Sequence, residues 1–324
     1  MKHEGLIKNT SAYKILQRDK EKGNLSHAYL LLSQDRTYLG EYLKTFAKTI
    51  ACEDVFGYCD ACRTCKAIDN NTAIDVKFYG FDKKILASDV DDLVADSFVK
   101  PYELTKKAYV LYTEGMNEAS QNKLLKTLEE PPENTFILLG AHTDSLLLPT
   151  IKSRVKKLEI PLFTAGQIYG ELERDFIDKE RLNNAVVNCD GTIGDAERLY
   201  NDENLEVLTD LAIDLVLNLK SSKDVLFISN KILKYKDNLG EFLSVLELLF
   251  RDMLAVQTSG EKVVQNKDNV KLIKNNDFKS ASIIYALDEI KEARKKLYFN
   301  GNVTMVIECL LFKILEGKYK WQKL

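Results

Sequence analysis

A doubly wound α/β domain followed by an all-helical region is the fold class that three features of the sequence predict. Five short apolar runs in the first half are nearly continuous rather than alternating, as in strands buried on both faces of a parallel sheet. Stretches with helical periodicity separate them, and β–α alternation is the pattern of a parallel sheet with helices on both sides. After about Phe163 the strand signals stop, and apolar residues recur at spacings of three and four, as packing helices require.

In chain order, strands are expected at Ala28–Leu32, Val76–Phe81, Ala108–Thr113, Thr135–Gly140 and Lys157–Ile160. Helices are expected at Tyr38–Ala51, Ala87–Phe98 and Glu118–Glu129, the last stopped by Pro131 and Pro132. Thr164 is the expected N-cap of a helix entering at Ala165. Short helices follow, broken at Asp190-Gly191-Thr192. Longer ones are expected at Leu205–Leu219, Glu241–Val256 and Lys279–Phe299, with a turn at Thr258-Ser259-Gly260 and a last amphipathic helix after Asn300-Gly301-Asn302. The expected domains are 1–163 (α/β), 164–204 (small and helical) and 205–324 (all-α).

Composition excludes several classes. A hydrophobic fraction of 45% supports globular cores, and no apolar run is long enough for a membrane helix. The net charge of −3, with lysines and acids interspersed, gives no basic stripe of the kind a nucleic-acid-binding chain usually carries. Five prolines and no low-complexity tract argue against long disordered linkers. The opening Met1-Lys2-His3-Glu4-Gly5 has no signal-peptide pattern, so a cytoplasmic protein with reduced thiols is expected.

Four of the six cysteines, Cys52, Cys59, Cys62 and Cys65, follow C-x6-C-x2-C-x2-C spacing. Four clustered thiolates can close a tetrahedron around zinc and leave no open coordination position, so a structural Zn²⁺ is expected rather than a catalytic one. A redox pair would need neither Cys52 nor a third in-phase cysteine. Cys189 and Cys309 stand alone in apolar helical patterns and are expected in the core. His27, at a strand entrance, reads as a hydrogen-bonded structural histidine, and Glu129-Glu130 as a solvated helix end.

Four stretches together resemble the bacterial clamp-loader family, the AAA+ subunits that load the DNA polymerase III sliding clamp. They are Ser26-His27-Ala28-Tyr29-Leu30, the cysteine cluster, Asn122 to Pro132 (NKLLKTLEEPP), and Leu147 to Arg154 (LLPTIKSR). The gap before the second cysteine is shorter than in zinc-bearing members. The resemblance implies an AAA+ α/β domain with an inserted zinc module, a helical lid and an all-α collar that packs with neighbouring subunits.

One departure from the family is decisive. A working phosphate loop needs glycines, a lysine for the β/γ-phosphates and a Ser or Thr for Mg²⁺. Counted without gaps, the loop here is Ser33-Gln34-Asp35-Arg36-Thr37-Tyr38-Leu39-Gly40, with Leu39 at the lysine position and Gly40 at the hydroxyl position. Asp35 would repel phosphate. The family's metal-binding acidic pair falls on Leu111 and Tyr112, with Glu114 the nearest acid. At Gly191–Ala196, where active members carry an ATP-sensing arginine, Asp195 is present, and Arg198 follows one turn later. No ATP or Mg²⁺ and no intrinsic ATPase are therefore expected.

The pattern looks like the delta-prime branch of the family, whose members keep the fold, the zinc module and an arginine finger. By resemblance that finger is Arg154, beside Ser153, with Val155 in place of the family's cysteine. It would act at a neighbouring gamma/tau ATP site. The implied partners are gamma/tau and delta subunits, with the sliding clamp and primed DNA reached through the assembled complex. Two rivals are a gamma/tau-like ATP-hydrolysing motor, which Leu39 and Gly40 oppose, and a stand-alone zinc-dependent nucleic-acid-binding protein, which the net charge opposes.

Overall fold

Runs such as Ala-Tyr-Leu-Leu-Leu leave no polar face, so they are stable only as strands covered on both sides. In the computed structural model, which describes residues 2–81, 83–259, 277–299 and 301–321, five such runs form one sheet. They are β1 (Ala28–Leu32), β2 (Val76–Tyr79), β3 (Lys107–Tyr112), β4 (Thr135–Ala141) and β5 (Lys156–Glu159). Every pairing is parallel, in the order β2-β3-β4-β1-β5. β1 lies between β4 and β5, and all five of its residues are buried. The edge strand β5 exposes three of its four residues, including Lys156 and Lys157, which discourages further strand pairing. The expected second strand ends early because the chain turns at Gly80 (φ 87°), where a Cβ would lie 2.2 Å from the Tyr112 carbonyl oxygen.

The helices of this first half are α1 (Glu4–Lys8), α2 (Ser11–Glu21), α3 (Leu39–Ala51), α4 (Arg63–Asp69), α5 (Ala87–Ser97), α6 (Glu118–Glu129) and α7 (Pro149–Lys152). Val90 and Leu93 of α5 and Leu124 and Leu128 of α6 share one core with Leu30, Tyr109, Leu111, Ile137 and Leu139 of the sheet. α3 packs on β3 and β4, so closely that a Cβ on Gly140 would lie 2.5 Å from Leu43 Cδ1. Helices α1 and α2 fall outside the sequence expectation. α2 is set by Thr10, whose hydroxyl accepts from Tyr13 N, and it buries Ala12, Tyr13 and Leu16. His27 donates to the Leu128 carbonyl at 3.0 Å, as a structural histidine should.

Among the described residues the further α-helices are α8 (Ala165–Leu172), α9 (Lys179–Asn188), α10 (Ile193–Asn201), α11 (Leu205–Asn218), α12 (Ser222–Ile232), α13 (Leu239–Ser259), α14 (Ser280–Tyr298) and α15 (Val303–Lys320). Thr164 caps α8 as expected: its hydroxyl accepts from Gln167 N, and Gln167 Oε1 accepts from Thr164 N, a reciprocal capping box.

Two compact units result: Met1–Glu171 with Gly191–Asp195, and Leu172–Asp190 with Ala196–Leu324. The described part of the second is helical, with α11 and α14 against α13, and α12 and α14 against α15. Its core includes Leu208, Leu215, Ile228, Phe242, Leu246, Phe250, Ile283, Ile290, Ile307 and Leu311. Cys189 is only partly buried and Cys309 is exposed on α15, which corrects the expectation that both lie in the core. The expected turn at 258–260 is replaced by helix α13 through Ser259; Gly260 and Asn300 lie outside the described residues. Among the described residues no helix is long and apolar enough to cross a membrane.

Candidate functional site

The first unit holds three features that the sequence singled out. The cysteine cluster sits where α3 ends and α4 begins. Cys52 is the C-cap of α3 and Cys62 the N-cap of α4. Cys59 Sγ accepts from Cys62 N at 3.3 Å, and Cys62 Sγ from Cys65 N at 3.4 Å, through a turn that places Asp60 in the left-handed region (φ 54°).

All four sulfurs lie within 4.8 Å of one another, with Cys52 Sγ 3.8 Å from Cys59 Sγ and 3.9 Å from Cys62 Sγ. A tetrahedron with Zn–S bonds of about 2.3 Å has edges of about 3.8 Å, so the donor set fits zinc, and the cluster could hold a metal ion. The shortened gap does not keep Cys52 out of it. The N–H groups of Ala61 and Cys62 bring the exposed Cys59 thiol down to about 7, favouring the ligating thiolate, whereas burial pushes Cys52 and Cys65 up.

Two buried lysines, which the sequence reading passed over, brace this module. Lys20 of α2 donates to the carbonyls of Cys52 at 2.5 Å and Gly57 at 2.7 Å. Lys48 of α3 pairs with Asp60 at 2.7 Å and Asp69 at 2.6 Å. Burial alone would lower the Lys48 pKa, but the two carboxylates outweigh it and raise it. The positive charges stand beside a centre that four thiolates and one Zn²⁺ would leave net negative.

The segment Ser33–Tyr38 joins β1 to α3, whose first two residues are Leu39 and Gly40. Leu39 is fully buried. A Cβ on Gly40 would meet the Phe81 ring at 3.4 Å, so an aromatic side chain stands beside the hydroxyl position. Asp35 is 2% exposed. Its Oδ1 accepts from Thr37 N (3.1 Å) and Tyr38 N (3.0 Å), and its Oδ2 from the Tyr42 hydroxyl (3.1 Å) and Gly194 N (3.1 Å).

At the acidic-pair position Leu111 is fully buried, and the Tyr112 hydroxyl bonds to His142 Nε2 at 2.7 Å. His142 Nδ1 lies 2.8 Å from the Ser33 carbonyl, which can only accept. Nδ1 therefore carries the proton, and in the neutral ring Nε2 accepts from Tyr112. Glu114 lies 3.4 Å from His142 Nε2. His142 gave no signal in the sequence because its partners are 30 and 109 residues away.

Arg154 follows the short helix α7, which opens at Pro149 and has Ser153 as its C-cap. Gln121 of α6 holds the approach to α7, donating to Leu146 O and accepting from Leu148 N. The guanidinium donates to Thr150 O (2.9 Å) and Ser153 Oγ (3.2 Å) and pairs with Glu129 at 2.6 Å, its side chain 34% exposed. Glu129 is therefore an ion-pair partner rather than a simply solvated acid. It sits in the NKLLKTLEEPP stretch, so the two motifs meet at this pair.

The family described as "DNA polymerase III, delta subunit" matches residues 8–164, which contain all three features. The chain is 27% identical over 315 residues to the DNA polymerase III subunit delta' of Bacillus subtilis (strain 168), spanning 94% of this chain and 95% of that protein. The chain resembles the DNA polymerase III clamp-loader subunits over nearly its whole length. It is also 28% identical over 290 residues to the B. subtilis DNA polymerase III subunit tau, spanning 85% of this chain and 48% of tau. A gamma subunit-related protein of Thermotoga maritima aligns with 94% of this chain and 99% of its own, at 19% identity and a TM-score of 0.39.

Proposed function

We propose that the chain is a non-hydrolysing, delta-prime-like subunit of the clamp loader. In this reading it assembles in the cytoplasm with gamma/tau and delta subunits and supports ATP-dependent loading of the sliding clamp onto primed DNA. The observation that carries the reading is the junction of β1 and α3, where a buried Leu39 and a glycine facing Phe81 open the helix at the positions that the family resemblance gives to the phosphate lysine and the magnesium hydroxyl. Phosphoryl transfer depends on such groups for electrostatic stabilisation, so hydrolysis would fall to a neighbouring subunit.

Arg154 would serve that neighbour. A planar cation held by Thr150 O and Ser153 Oγ is oriented before any partner arrives, and it would exchange Glu129 for the developing charge on a γ-phosphate. Ser153 acts here as an orienting group. The four cysteines would hold a structural Zn²⁺, and the chain would work as domains 1–163, 164–204 and 205–324, the last packing with the helices of its partners.

The test is DNA-dependent ATPase in a reconstituted mixture of gamma/tau, delta, clamp and this chain. The chain alone should show no turnover. Adding it should raise turnover, and Arg154→Ala should slow the site it serves by about 10³-fold or more. Turnover by the isolated chain would establish a motor instead, and an Arg154→Ala mixture as active as wild type would remove Arg154 from the mechanism.

A further inference from the structure

We propose that Asp35 is a built-in latch: its carboxylate fills the cradle of donors at the start of α3 and ties the Gly191–Asp195 segment to it, so that this closure needs no bound anion. Three features separate this from ordinary helix capping. An N-cap side chain satisfies one or two N–H groups of its own first turn. Asp35, in the turn that leads into α3, accepts from Thr37 N and Tyr38 N with Oδ1 and then spends Oδ2 on the Tyr42 hydroxyl and on Gly194 N–H, 159 residues away. The carboxylate is 2% exposed, so these four donors replace its water, and hydrogen bonds to a buried charge are stronger than neutral ones.

The far side of the latch is shaped to match. A Cβ on Gly194 would lie 2.4 Å from Thr37 Cβ and 2.6 Å from Asp35 Oδ1, so only glycine allows the approach, and no longer side chain could reach into the turn from this position. Gly191–Asp195 belongs to the first unit although the residues on both sides of it belong to the second, so the latch holds a segment that would otherwise follow its neighbours. Phe163 N, donating to Gly191 O at 2.8 Å, anchors its other end.

The measurement is hydrogen exchange on the full-length chain. Asp35→Ala should speed exchange in peptides covering 191–195 about tenfold or more, as well as at Thr37 and Tyr38. A local cap would release only Thr37 and Tyr38, and that outcome overturns the latch. Gly194→Ala provides a second variant that leaves the Asp35–Thr37–Tyr38 cap chemically intact, and it should free the same 191–195 peptides; unchanged protection there would also overturn it. Magnesium ATP added to the wild-type chain should leave exchange at 191–195 unaltered, and added protection would mean that the closure depends on a ligand. Failure here leaves the clamp-loader reading intact, because that reading is tested by Arg154 in the reconstituted complex.

Discussion

Asp96 shows how much one side chain organises. From α5 it accepts from the Tyr109 hydroxyl at 2.6 Å and pairs with Lys77 (3.0 Å) and Lys107 (3.2 Å), joining α5 to β2 and β3. Burial works to raise its pKa, but the Tyr109 hydroxyl and the two lysines outweigh it and hold the carboxyl below its ordinary value. The folded state therefore binds fewer protons than the unfolded one. The stabilisation is complete above the unfolded value of about 3.9 and is lost as pH falls through the lower folded value. Asp96→Asn should cost about 1 kcal/mol, reduced because the side chain is a quarter exposed. Urea midpoints should show a constant gap between wild type and variant from about pH 7 to 5 that shrinks below about pH 4. A gap that does not change with pH would mean that Asp96 acts through packing. Such a residue was not legible in the sequence, because its partners lie 11 to 19 positions away on other elements.

At the scale of elements, legibility followed the locality of the signal. Every strand was read to within two residues: β1, β3 and β4 because strands covered on both faces are nearly continuous apolar runs, whereas the edge strands β2 and β5 carry Lys77, Lys156 and Lys157. Helices α1 and α2 were missed, since their stretch reads as polar and only four positions of α2, one of them Lys20, are buried. Helix α12 was missed although Val225, Ile228 and Ile232 keep helical spacing, because no long apolar run announces it. The cysteine cluster was legible as spacing, whereas its braces were not: Lys20 and Lys48 reach it from α2 and α3. If the module folds around metal, binding energy becomes folding energy. The chain should then contain about one zinc, and Cys62→Ser should lower both zinc content and melting temperature. Elemental analysis with a chelator-dependent melting curve measures both. A metal-free chain that melts where the wild type does would end the structural-zinc proposal.

For the molecule as a whole, charge decides what it can bind alone. Its 46 basic and 49 acidic residues nearly cancel, and many lysines of the first unit are committed within it. Lys48, Lys77, Lys107, Lys123, Lys156 and Lys157 each face a carboxylate. Non-specific DNA affinity comes from lysines and arginines that displace counterions from phosphates, and cations already paired gain less by doing so. In the proposed delta-prime role, a DNA path would have to draw its unpaired cations from the assembled complex. Fluorescence anisotropy with a primed-template duplex should therefore show no binding of the isolated chain at micromolar concentration in about 150 mM salt, and binding that falls with salt once the partner subunits are added. A steep salt dependence for the isolated chain, equivalent to about six or more phosphate contacts, would show a basic surface of its own and favour a direct nucleic-acid-binding role over that of a silent subunit.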